Sequence, residues 1–125
     1  MNIRKIDLNK DYETLNKWLV GHNKPILSQD LYSDSGFMVN ELVAGFLYKT
    51  NSSICLVENF VSDPASEKNE RRRAINTLFE TIIKEAKDLK FKMIFTAVEL
   101  NSLHKNLIDI GFVDLHSDKL MFRSL

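Results

Sequence analysis

Apolar residues recur along this chain in two rhythms, every second residue in some stretches and every third or fourth in others. Ile3–Ile6 reads as a short strand. Asp11 stands where it would cap a helix running to about Val20, with Tyr12, Leu15, Trp18 and Leu19 on one face. Gly21 and then Pro25 end that helix, and Ser28–Tyr32 fits a short helical turn. Gly36–Val39 and Leu42–Thr50 are strands joined by Asn40-Glu41, a hairpin pattern. Ile54–Val61 is the next strand, and the polar Ser62–Glu70 a loop. The clearest helix spans Arg72–Leu89, where Ala74, Leu78, Ile82, Ala86 and Leu89 recur at helical spacing with Phe79 and Ile83 beside them. Phe91–Ala97 is a strand reached through that helix, and such a crossover implies parallel pairing with a right-handed connection. Asn101–Ile110 is a shorter helix stopped by Gly111. Phe112–His116 and Lys119–Arg123 read as two last strands turning at Ser117-Asp118. The order predicts an α/β (α+β) mixed sheet flanked by helices.

Composition narrows the class. The 125 residues suit one domain, 1–125, with one core. A composition 44% hydrophobic and 27% charged is that of an ordinary soluble protein. Lys and Arg number 17, as do Asp and Glu, which speaks against a nucleic-acid partner. The lone Cys55 has no disulfide partner and no ligand-like neighbours, so it reads as a small core residue in a reducing compartment. The N-terminal segment carries no apolar signal stretch, and the longest apolar run, Leu42–Tyr48, is far short of a membrane span. A cytoplasmic protein without a membrane partner is the expectation. His22, His104 and His116 are scattered, so no metal site is expected. Lys119–Arg123, as an edge strand, could pair across a homodimer.

One short stretch stands out. In Glu67–Glu80, "EKNERRRAINTLFE", three arginines occupy the expected start of a helix, where free N–H groups and the dipole favour anions. A polyanionic ligand over the helix end would make them favourable. Alternatively, Glu67, Glu70 and Glu80 neutralise them in a solvated surface network, of the kind that contributes roughly 0–1 kcal/mol per pair.

Four stretches in this order carry a resemblance: "IRKIDLNKDYETLNKWL", "GFMVNELVAGFLYKT", "ICLVENFVSDP" leading into "ERRRAINTLFETIIKEAK", and "MIFTAVELNSLHKNLIDIGF". Together the chain resembles the GNAT superfamily of acyl-CoA-dependent N-acyltransferases over nearly its full length. The resemblance implies a GNAT-like fold with acetyl-CoA as acyl donor. The family's phosphate loop, Q/R-x-x-G-x-G/A, falls on Arg71, Arg72, Arg73, Ala74, Ile75 and Asn76, with Ala74 and Asn76 at the two small positions. The splayed end of the fourth strand, which meets the thioester in the family, falls at Phe60, Val61 and Ser62.

Direct acyl transfer to an amine needs a base, oxyanion donors and an acid for the thiolate. Glu58 is the candidate base, against a plain strand carboxylate, with Asp63 as the weaker choice. The family's acid, a tyrosine before Gly-Phe, falls on Leu107, which has no proton to give; water, the Ser102 hydroxyl, Tyr32 and Tyr48 are the substitutes. The expected function is N-acetyl transfer to a small-molecule or protein amine. The alternative is a GNAT-fold binding or regulatory module without catalysis.

Overall fold

The computed structural model describes residues 1–98, 101–115 and 121–125, with only the backbone of 101 and 102. Five strands form one sheet in sequence order: β1 (Ile3–Lys5), β2 (Gly36–Val39), β3 (Val43–Lys49), β4 (Ile54–Ser62) and β5 (Met93–Phe95). Neighbours are antiparallel as far as β4, and β4 pairs with β5 in parallel. The helices are α1 (Leu8–Gly21), α2 (Lys68–Asp88) and α3 (Asn101–Asp109), with a 3-10 turn at Gln29–Leu31. None of the described helices is long and apolar enough to cross a membrane.

The two hydrophobic rhythms divide the core by face. Leu15, Trp18 and Leu19 of α1 pack with Met38, Ala44, Phe46 and Val61 on one side of the sheet. Ala74, Leu78, Phe79, Ile82 and Ala86 of α2 pack with Val39, Val43, Leu47 and Val57 on the other. Leu107 of α3 is buried in this second layer, as is Cys55, whose thiol pKa burial pushes up.

The β2–β3 turn has both central residues at positive φ, Asn40 at 55° and Glu41 at 53°, with Leu42 N–H donating to Val39 O at 3.0 Å. That double left-handed turn suits the twist of a hairpin, but a glutamate is an uncommon occupant. Arg4 of β1 holds it there. The guanidinium donates to Glu41 at 2.7 and 2.8 Å and to Asp11 at 2.8 and 2.9 Å. The α1 cap is therefore Asp7, one turn before the expected Asp11: Asp7 accepts from Asn9 N–H at 3.1 Å. Asp11 lies buried inside the helix and accepts from Asp7 N–H at 2.9 Å. The helix stops through Asn23 at φ 57°, not through Gly21, which lies against Pro64.

Bonds from Arg4 hold the Asp11 and Glu41 carboxyls below the usual carboxylate range. Both then stabilise the fold above the unfolded pKa, about 4, and that stabilisation is lost as pH falls through their lower folded values. Arg4→Met is expected to cost about 1–3 kcal/mol at neutral pH, since it strands a buried carboxylate while Glu41 stays solvated. Urea titrations at pH 7 and pH 3 test this: the difference from wild type should shrink at the lower pH.

The C-terminal third departs from expectation. β5 has three residues where Phe91–Ala97 was predicted, because Phe91 N–H is drawn back to Ala86 O at 3.0 Å behind Lys90 at φ 70°. The predicted strands Phe112–His116 and Lys119–Arg123 are not strands over their described residues. Phe112 turns inward onto Phe79, while Val113 and Phe122 are 81% and 94% exposed, so their apolar pattern finds no sheet there. His116, Ser117, Asp118, Lys119 and Leu120 lie outside the described residues.

Candidate functional site

β4 is paired to β5 only over Ile54–Leu56, and its last six residues run on without that neighbour. The ladder to β3 also breaks here. Ala44 faces Val61 and Phe46 faces Glu58, so Gly45 stands opposite two residues, Asn59 and Phe60. This is a β-bulge, and Asn59 carries it at φ 58°. Asparagine tolerates the left-handed region better than most residues. Gly45 leaves room across from it: an added Cβ would stand 3.0 Å from both the Phe60 ring and Leu78, and those side chains would have to give way.

Glu58 lies immediately before the bulge, on the α1 face beside Phe46. Its carboxylate accepts from Ala97 N–H at 2.8 Å. A side chain thus replaces the backbone ladder where the two strands part. Burial raises the carboxyl pKa, and the Ala97 bond offsets part of that rise. One residue before Ala97, the Thr96 hydroxyl oxygen is buried and finds no partner among the described residues.

The segment from His22 to Ser35 closes over the same face. Tyr12 donates to Leu27 O at 2.6 Å, and Tyr48 donates to Leu31 O at 2.9 Å. Tyr32 is buried between Tyr12 and Phe46. The Asn59 side-chain amide donates to the Tyr48 hydroxyl. His22, at the end of α1, contacts Ser62 O through Nε2 at 2.9 Å, so the helix end is fixed to the strand end. Of these, the sequence singles out Glu58, Ser62 at the strand end and, as substitute acids, Tyr32 and Tyr48. Asn59 and Ala97 were missed; an asparagine inside an apolar run was the only local sign of the bulge.

The other expected residues separate into groups. Phe60 packs on Phe79 with centroids 4.7 Å apart, Val61 is buried against α1, and Ser62 is half-buried. The arginines are not at a helix start. α2 begins at Lys68, four residues before the expected Arg72, and the polar loop shrinks to 63–67. Glu67 caps it, its carboxylate accepting from Asn69 N–H at 3.0 Å and Glu70 N–H at 2.9 Å. Those bonds hold the carboxyl below its usual range, with Arg73 and Arg71 adding to the effect. Arg71 donates to Ser66 O at 3.1 Å, whereas Arg72 and Arg73 are exposed. Successive helical side chains project about 100° apart, so the three do not converge on one point. Ala74 is fully buried in the core, and Ile75 and Asn76 are half-buried within the regular helix. The Ala74 side chain thus serves packing. Among the described residues no cluster of three or more His, Cys, Asp or Glu could hold a metal ion.

No family model and no curated protein sequence matches the chain. Solved structures do. An acetyltransferase of the GNAT family from Staphylococcus aureus superposes with a TM-score of 0.71 at 16% identity, covering 99% of this chain and 92% of that one. The chain has the GNAT fold. Rv2747 from Mycobacterium tuberculosis, solved in complex with CoA, gives 0.74 at 12% identity over 97% and 76% of the two chains. The ribosomal-protein-S18-alanine N-acetyltransferase from Escherichia coli gives 0.69 at 14% identity over 88% and 76%. Within this GNAT fold, the bulge, the parted strands and Glu58 lie together on the α1 side of the sheet.

Proposed function

We propose that this chain is an acyl-CoA-dependent N-acyltransferase that moves an acetyl group from acetyl-CoA to an amine. The observation that supports it is the bulge at Asn59–Phe60 followed by a strand end free of its parallel neighbour, with a half-buried carboxylate at the fork. A freed strand end offers backbone N–H groups to a thioester oxygen and to an extended ligand arm. Glu58 accepts the proton of the attacking amine, directly or through water. Leu107 is buried, so no acid stands there and the thiolate leaves to solvent or to a nearby hydroxyl. Arg71, beside the turn 63–67, is the arginine best placed for the coenzyme phosphates.

The test is thermal unfolding with excess acetyl-CoA and with ATP as a phosphate control, followed by thiol release across an amine panel. A ligand at about 100 times its Kd adds roughly 2.7 kcal/mol, several degrees for this size. A rise with acetyl-CoA alone, then amine-dependent thiol release, is expected. No rise at millimolar acetyl-CoA would overturn the reading, and binding without turnover would mark a coenzyme-binding module.

A further inference from the structure

Two parts of the proposed site are far apart in sequence yet meet at one hydroxyl. Tyr48, half-buried on β3, donates to Leu31 O in the 3-10 turn at 2.9 Å and accepts from the Asn59 side chain at the bulge. The hydroxyl therefore uses its donor and its acceptor capacity at once. Asn59 is the residue that must hold a left-handed φ for the bulge to exist. An asparagine visits that region more readily than most but gains no fixed orientation from it, so a side-chain anchor decides how rigidly the following amides are aimed.

We infer that Tyr48 is a positioning residue that fixes the β4 bulge to the 28–33 segment, coupling the acyl-donor half of the site to the segment that closes over its acceptor half. The functional side of this inference rests on the proposed acyl transfer; the coupling itself does not. Without the hydroxyl, the exposed Leu31 carbonyl and the part-buried Asn59 amide lose a common partner, and each segment relaxes independently.

The experiment compares wild type, Tyr48→Phe, Asn59→Gly and the double variant. Glycine accepts positive φ without strain, so Asn59→Gly keeps the bulge and removes only the anchor. The first readout is amide NMR shifts and hydrogen exchange, which need no ligand. Tyr48→Phe should perturb the amides of 29–33 and of 59–62 together and speed their exchange several-fold, leaving β1 and β2 unchanged. Asn59→Gly should perturb Leu31, 28 residues away in sequence. If either variant disturbs only its own neighbourhood, the coupling is overturned. The second readout is acetyl-CoA affinity and kcat/KM: each single variant should lower kcat/KM about tenfold, and the double variant no further. Additive losses overturn the inference. A wild type that ignores acetyl-CoA overturns the proposed function instead, and the NMR result still decides the coupling.

Discussion

Glu58→Gln is expected to slow amine acetylation by roughly 10²–10⁴-fold with the fold unchanged. The substitution separates two roles of one side chain. The amide oxygen of glutamine can still accept from Ala97 N–H, which Glu58 meets at 2.8 Å, so the bridge across the parted strands survives. The proton acceptor does not. Burial raises the Glu58 carboxyl pKa, so its acid limb should lie above the ordinary glutamate range. In wild type, kcat/KM should fall as pH drops through that raised value; in the variant this limb should vanish. Stability runs the other way. A carboxyl with a raised folded pKa stabilises below its unfolded pKa, and that contribution is lost as pH rises through the folded value. At neutral pH the charged form is thus a burden, and Glu58→Gln should melt no lower than wild type. Glu58→Ala, which also loses the bridge, should melt lower. Steady-state kinetics from pH 5 to 9 and thermal scans read both. Activity within threefold of wild type in Glu58→Gln would place the base elsewhere, with Asp63 the next candidate.

Much of the scaffold was legible because local pattern and tertiary need agree. Leu15, Trp18 and Leu19, chosen on helical spacing, are buried on one face of the sheet; Ala74, Leu78, Ile82 and Ala86 are buried on the other. The Asn40-Glu41 turn lies where the break between strands put it. What failed to show was context-dependent. A bulge is a relation between two strands, and Asn59 reads as a defect in a strand until Gly45 is seen opposite it. The start of α2 is read four residues late, at Arg72, because the apolar rhythm first shows at Ala74 and the polar residues before it look like loop. Acidic groups stand where the dipole favours them, Glu67 at the cap and Glu70 in the first turn, and the arginines follow. Capping by glutamate is unusual enough that no propensity rule proposes it. The short β5 and the exposed Val113 and Phe122 also follow from tertiary facts, since a strand pattern makes a strand only where a neighbour offers a ladder.

Glu67→Ala is expected to tighten acetyl-CoA binding about tenfold, an increase from deleting a charged residue. A helix N-terminus binds phosphate through free N–H groups. Here the Asn69 and Glu70 N–H groups already serve the Glu67 carboxylate, and Arg71 and Arg73 lie within electrostatic reach of it. The carboxylate holds the place of an anion, and an incoming phosphate must displace it or sit beside it. Because its pKa is held low, it stays charged throughout the neutral range and competes at every working pH. Alanine frees both donors and removes a like charge, while the lost cap lowers the melting midpoint slightly. Arg71→Ala should act oppositely, weakening binding about tenfold through loss of a charge-assisted contact. Arg72→Ala, on an exposed side chain that does not converge with the others, should change affinity less than twofold. Calorimetric titration of the three variants reads these directly. Three unchanged affinities, in a protein that still binds acetyl-CoA, would move the phosphates away from this helix end. Tighter binding in Glu67→Ala alone would instead mean that backbone N–H groups, not arginines, make the site, and that the missing loop glycines matter less than the carboxylate that fills the place.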